Sequence, residues 1–74
     1  MKEPQHWISV TSSNIHSIAY NEQDKILFVK FLHGGIYSYF DVPSHIFNQI
    51  LVAESIGKYF SQNIKGIFRA EKIA

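Results

Sequence analysis

The chain has 74 residues, 46% of them hydrophobic and 15% aromatic, with no cysteine and a formal net charge of +1. It is one small domain with enough apolar side chain for a core, which excludes a disordered chain, a disulfide scaffold and a thiolate metal site. The near-neutral balance also lacks the strong basicity of a dedicated nucleic-acid binder.

The polar start Met1 to His6 is unlike a signal peptide, and no apolar stretch approaches the ~18 residues of a membrane span. With no cysteine to oxidise, a cytoplasmic protein without membrane association is expected. Trp7-Ile8-Ser9-Val10 reads as a short edge strand or an ordered arm. Thr11-Ser12-Ser13-Asn14 follows as a polar turn, whose side chains satisfy local backbone groups. Ile15 to Tyr20 has strand composition, and Asn21 to Asp24 is the next turn. Lys25 to Leu32 is the clearest strand. It is β-branched, aromatic and apolar on both faces apart from two lysines, as a central strand buried on both sides requires.

His33-Gly34-Gly35 turns the chain into a returning strand, Ile36 to Phe40. Glycine supports such turns because it accepts positive φ. At Val42-Pro43 the period changes. Proline suits a helix start, and Ile46, Phe47, Ile50 and Leu51 form an apolar helical stripe. Asp41 has the position and charge to interact with that helix N-terminus. Ser55 is placed to cap a second, shorter helix carrying Tyr59 and Phe60, and Gly66 leads into a tail. The fold expected is α+β: a three- to four-stranded antiparallel meander packed by a C-terminal helix and a short second helix. Residues 7–68 form the single domain, with 1–6 and 69–74 as tails.

Hairpin register decides what the aromatics do. A three-residue loop at His33-Gly34-Gly35 pairs Leu32 with Ile36 and Phe31 with Tyr37. Tyr37 and Tyr39 then share the core face with Leu27, Val29 and Phe31. A two-residue loop at His33-Gly34 pairs Lys30 with Tyr37 and Phe28 with Tyr39, making an aromatic and basic platform on which bases stack. A one-residue slip moves every side chain to the other face.

Little else carries chemistry. His6, His16, His33 and His45 are scattered, without the close ligand pairs of a zinc site, so no metal site is expected. No serine lies in a Gly-x-Ser-x-Gly elbow. The Gly34-Gly35 pair lacks the lysine and helix of a phosphate loop. No catalytic residue, cofactor or enzymatic activity is expected. The C-terminal third is mildly basic, with Lys58, Lys65, Arg69 and Lys72 against Glu54 and Glu71, and Tyr59, Phe60 and Phe68 interleaved. A basic strip of this kind holds a phosphate backbone; equally, it is a solvated surface over Tyr59, Phe60 and Ile64.

Several segments together resemble the KTSC domain, a module found at the C-terminus of some lysyl-tRNA synthetases and alone in small bacterial and phage proteins. They are Ser12-Ser13-Asn14-Ile15 with Tyr20, Leu27 to Phe31, Gly34 to Tyr39 with its Tyr-x-Tyr, Val42-Pro43, Ala53 to Phe60, and Asn63 to Gly66. The resemblance spans roughly residues 7–68 and implies RNA binding, by association with a tRNA-charging enzyme. Its motif maps to Tyr37, Tyr39, Ser55, Gly57, Lys58, Tyr59 and Phe60. The leading expectation is therefore a non-catalytic module for RNA or another nucleic acid. Lys58, Tyr59, Lys65, Arg69, Ser55 and Gly57 are its candidate binding residues, and Tyr37 and Tyr39 its candidate stacking residues. The alternatives are a protein-interaction or self-associating module, for instance a phage or prophage accessory protein acting on a host protein, and capture of a small nucleotide.

Overall fold

The computed structural model describes Pro4 and residues 6–74. Five strands form one antiparallel sheet: β1 (Ile8–Ser9), β2 (Ile15–Asn21), β3 (Ile26–Phe31), β4 (Ile36–Tyr39) and β5 (Ala70–Lys72). They lie in chain order, each paired with its sequence neighbour. Helices α1 (Ser44–Leu51) and α2 (Ile56–Asn63) fall between β4 and β5. The expected α+β meander with two helices is present, with five strands among the described residues against the three or four anticipated. Its fifth strand lies within residues 69–74, expected as a tail. Ala70-Glu71-Lys72 has no apolar alternation, and all three residues are exposed. What holds them is the free edge of β4, with Tyr37 opposite Lys72 and Tyr39 opposite Ala70.

β3 runs through the middle, and Ile26, Leu27, Phe28 and Val29 are all buried, as its two-faced apolar composition requires. A bulge in β2 between Ile15 and Ser17 sets Ile15 opposite Phe31 and Ile18 opposite Val29. Without the extra residue, Ile15 and Ile18 would point to opposite faces. With it, both enter the main core alongside Leu27, Val29, Tyr39, Val42, Ile50, Phe60 and Ile64. Ile46, Phe47 and Leu51 pack against this core, so the apolar stripe of α1 does what its spacing implies. Phe47 stacks on Tyr20 at 5.0 Å and 13°. The Tyr20 hydroxyl donates to the carbonyl of Val42.

The other face of the sheet carries a smaller cluster of Ala19, Ile26 and Phe28, packed by Trp7, Phe40 and Ile73. Lys30 Nζ sits 4.6 Å from the centre of the Trp7 ring, and the Arg69 guanidinium 4.2 Å from that of Phe40. Cations over aromatic faces let this helix-free side close with few residues.

Two local expectations need correction. The register of the β3–β4 hairpin is neither of those considered, because Val29 pairs with Tyr37 and Leu27 with Tyr39. The loop is Leu32-His33-Gly34. Phe31 N donates to Gly35 O and Gly34 N to Phe31 O, both at 3.1 Å, and Gly34 takes φ +103°. Leu32, apolar and thus expected in the strand, is instead half-exposed in the turn. The shift from the first register is an even number of residues, so the tyrosines keep the core face. Asp41, in turn, does not cap α1: Pro43 is the N-cap residue, without a side-chain cap bond. Asp41 adopts φ 58° and turns the chain between β4 and α1, a left-handed conformation that aspartate tolerates better than most residues.

Candidate functional site

Where the β3–β4 hairpin meets the C-terminal half of α2, the helices stop covering the sheet. A cleft of about 300 Å³ opens there, lined by Asn14, Phe31, His33, Tyr37, Tyr39, Phe60, Ser61 and Lys65. The size is at the lower end of small-ligand sites. Three of the sequence-predicted residues, Tyr37, Tyr39 and Lys65, meet in it. The choice between core and platform thus resolves by position along one face. Tyr39 is 6% exposed and belongs to the floor. Tyr37, one pleat nearer the open end, is half-buried.

Phe31 organises the aromatic wall. It meets Tyr37 edge-on at 5.6 Å and Phe60 edge-on at 5.5 Å, and His33 stacks on it at 5.5 Å and 20°. Phe60 also contacts Tyr39 at 5.4 Å. Burial pushes the Tyr39 phenol up to about 12, with a smaller like-charge contribution from Tyr37. Tyr39 is therefore a neutral hydroxyl at physiological pH and supplies shape rather than charge.

The polar parts come from three loops or helix ends. His33 Nδ1 lies 2.9 Å from the carbonyl oxygen of Gly34. Asn14 is tied to the hairpin turn by Leu32 N donating to its carbonyl at 2.9 Å. Ser61 and Lys65 belong to α2 and the turn that follows it. Lys58, exposed on the same helix, falls three residues before Ser61 and is not among the lining residues. Lys72 stands opposite Tyr37 in the β4–β5 ladder and so shares its side of the sheet. None of the lining residues is a carboxylate. Lys65 is the one lysine in that lining.

Other predicted residues have structural work. Ser55 caps α2, its Oγ accepting from Lys58 N at 3.3 Å. Gly57 leaves room for the preceding polar turn, since a methyl group there would lie 2.6 Å from Asn14 Oδ1 and 3.4 Å from Ser12 Oγ. The Tyr59 hydroxyl donates to Gln49 Oε1 at 2.6 Å, linking the two helices. Arg69 lies on the opposite face over Phe40, with Glu71 at 3.9 Å, and is not brought to the cleft. Sequence reasoning missed Asn14, Phe31, His33 and Ser61 as site residues. The signal for Asn14 is its place in the Ser12-Ser13-Asn14 turn, a pattern that by itself implies only local backbone satisfaction.

No helix among the described residues is long and apolar enough to cross a membrane. No group of three or more potential metal-ligating side chains is found among them either.

A chain-order antiparallel meander with two helices on one face and an aromatic cleft at the open end defines a small α+β domain. Residues 11–68 match the KTSC domain, and the chain belongs to that family. A KTSC domain protein from Yersinia pestis, known from its crystal structure, superposes with a TM-score of 0.91 at 35% identity, covering 93% of this chain and 97% of that one. A protein of Tsukamurella paurometabola is 38% identical over 61 residues, spanning 82% of this chain and 91% of its own length. A lysine–tRNA ligase of Nostoc punctiforme is 32% identical over 62 residues, which are 84% of this chain but only 11% of the ligase.

Proposed function

We propose that this protein is a non-catalytic RNA-binding module, and that the cleft between the β3–β4 hairpin and α2 takes an unstacked base of a single strand. The observation that carries the reading is the composition of that cleft: Phe31, Tyr37 and Phe60 as apolar walls, Lys65 at the rim and no carboxylate among the lining residues. Base stacking on aromatics combined with backbone attraction to lysines is the general chemistry of single-strand capture. Lys72, paired with Tyr37 on the same side of the sheet, and Lys58, exposed on α2, are the further cations offered to the backbone of a bound strand. Similarity to a segment of a lysine–tRNA ligase, a protein that handles RNA, supports the same reading.

The edge strands favour this reading over strand-to-strand recruitment of a protein. β1 has two residues, and β5 presents Glu71 and Lys72, both exposed. Short and charged edges are how sheets avoid pairing with other chains.

Anisotropy titration with a labelled single-stranded RNA of about ten nucleotides tests the proposal. Binding is expected to weaken with salt, with a log–log slope of about −2 for three lysine contacts at roughly −0.7 each. Replacing Lys58 and Lys65 together by glutamate is expected to abolish it. Unchanged affinity in that double variant would overturn the site.

A further inference from the structure

The chain has four tyrosines, and their hydroxyls divide into two kinds. Tyr20 donates to the carbonyl of Val42 and Tyr59 to Gln49 Oε1, so each ties one part of the fold to another. The hydroxyls of Tyr37 and Tyr39 have no hydrogen-bond partner among the described residues, and both side chains line the cleft. For Tyr37, half-buried at the open end, an unpaired hydroxyl is ordinary. Tyr39 is only 6% exposed, with Phe60 against its ring at 5.4 Å. A tyrosine buried that deeply normally finds a partner for its hydroxyl. Every sealed side-chain oxygen and nitrogen among the described residues has one. The Tyr39 hydroxyl therefore is not sealed, and the space its side chain lines is the cleft.

The surroundings decide what this atom can do. Burial keeps the phenol protonated far above neutral pH, so it retains a proton to donate. No carboxylate in the lining competes to accept it. The cleft thus carries a neutral donor at its floor and aromatic walls above it.

Resting on the RNA reading above, we infer that Tyr39 is a ligand-binding residue, whose hydroxyl donates to an acceptor on the Watson–Crick edge of the base that enters the cleft. A base is tethered through its glycosidic bond to a backbone drawn to Lys65 at the rim, so the edge remote from that bond goes in first. All four bases carry an acceptor there (O4 of uracil, O6 of guanine, N3 of cytosine, N1 of adenine). The bond accordingly sets the depth of the base and not its identity. What it selects against is a flat apolar ring. Stacking on Phe31 and Phe60 would accept such a ring, but the ring would shut the Tyr39 hydroxyl off from water without giving it an acceptor.

The test combines Tyr39→Phe with an oligomer that lacks the acceptor. Oligouridylate of about ten nucleotides, and the same oligomer with difluorotoluene as an apolar isostere of uracil, are titrated against the natural protein and the variant. Tyr39→Phe is expected to bind oligouridylate about fivefold more weakly, the fold-change of one neutral hydrogen bond. It is expected to bind the isostere no more weakly than the natural protein does, because only one partner of the bond is then left to remove. Thermal melting separates this from a structural role. Tyr39→Phe is expected to melt no lower than the natural protein, whereas Tyr20→Phe, which loses a bond inside the fold, melts lower and keeps its RNA affinity. A folded Tyr39→Phe protein with unchanged affinity for oligouridylate would overturn the inference while RNA capture stands. So would an equal loss with both oligomers, or a Tyr39→Phe protein that melts as low as Tyr20→Phe. Absence of binding of either oligomer by the natural protein overturns both readings.

Discussion

Gly57 sits in the first turn of a helix, where alanine would ordinarily be the better residue by up to ~1 kcal/mol. Here the added methyl would meet Asn14 Oδ1 at 2.6 Å, and Asn14 can yield only by giving up its bond from Ser12. Overpacking of this kind costs about 1–3 kcal/mol, so it outweighs the propensity gain. Gly57→Ala is expected to lower stability by about 1 kcal/mol in urea unfolding. A stabilised variant would show that the turn moves freely. Tyr39 gives a second prediction at this scale. Burial raises its phenol to about 12 from the ordinary 10.0. An acid whose folded value is raised favours folding in its neutral form. Its contribution is thus complete below about pH 10 and is lost as pH rises through about 12. Absorbance titration of tyrosine is expected to show one late-ionising phenol accompanied by loss of thermal stability, and Tyr39→Phe is expected to reduce that loss. A Tyr39→Phe protein with an unchanged alkaline decline would contradict the burial argument. Tyr20, also raised by burial with a smaller push from Glu22, acts in the same direction.

At the scale of elements, the strand that composition does not announce is β5. Alanine, glutamate and lysine are helix-favouring residues, and none of Ala70, Glu71 and Lys72 is buried. Its place is decided by backbone bonds: Phe40 N to Arg69 O at 2.9 Å, Ile73 N to Ile36 O at 2.8 Å and Ile36 N to Ala74 O at 3.0 Å. The same segment covers the fully buried Ser38, whose hydroxyl donates to Glu71 O at 3.4 Å, and brings Ile73 to the second cluster. Ending the chain at Phe68 is therefore expected to cost about 2 kcal/mol or more, at roughly 1 kcal/mol net for each lost bond. Chemical denaturation of the shortened chain measures this; an unchanged midpoint would mean that β5 is only an appendage. The contrast with β3 and α1 shows what was legible. Leu27 to Phe31 and the stripe Ile46, Phe47, Ile50 and Leu51 carry their own period, so their burial follows from local pattern. The hairpin register does not, because the turn consumes Leu32, whose apolar side chain argues locally for strand. The bulge at His16 is equally silent in composition, since it exists to bring Ile15 onto the core face.

For the whole molecule, the cleft is a product of topology. Asn14 precedes β2, His33 follows β3, and Lys65 follows α2; only antiparallel pairing with this register brings them together. That is why Tyr37, Tyr39 and Lys65 were recognisable as candidates from residue type, while Asn14 and His33 were not. Arg69, similar in type to Lys65 and near it in sequence, ends on the other face because the turn through Gly66 (φ +77°) and the entry into β5 lie between them. The charge of the molecule follows the same logic. A net charge of +1 argues against nucleic acid only if the cations are spread evenly. Here Lys65 lines a cleft without an acid in its lining, and Lys72 pairs with Tyr37 on the same side of the sheet.

The most direct test of the central claim is an amide-resolved NMR titration with a short single-stranded RNA at low and moderate salt. The account predicts shifts centred on Asn14, His33, Tyr37, Ser61 and Lys65, fading as salt rises, with residues around Trp7 and Phe40 on the opposite face unmoved. Shifts confined to that opposite face, or a spectrum unchanged at high oligomer concentration, would contradict it.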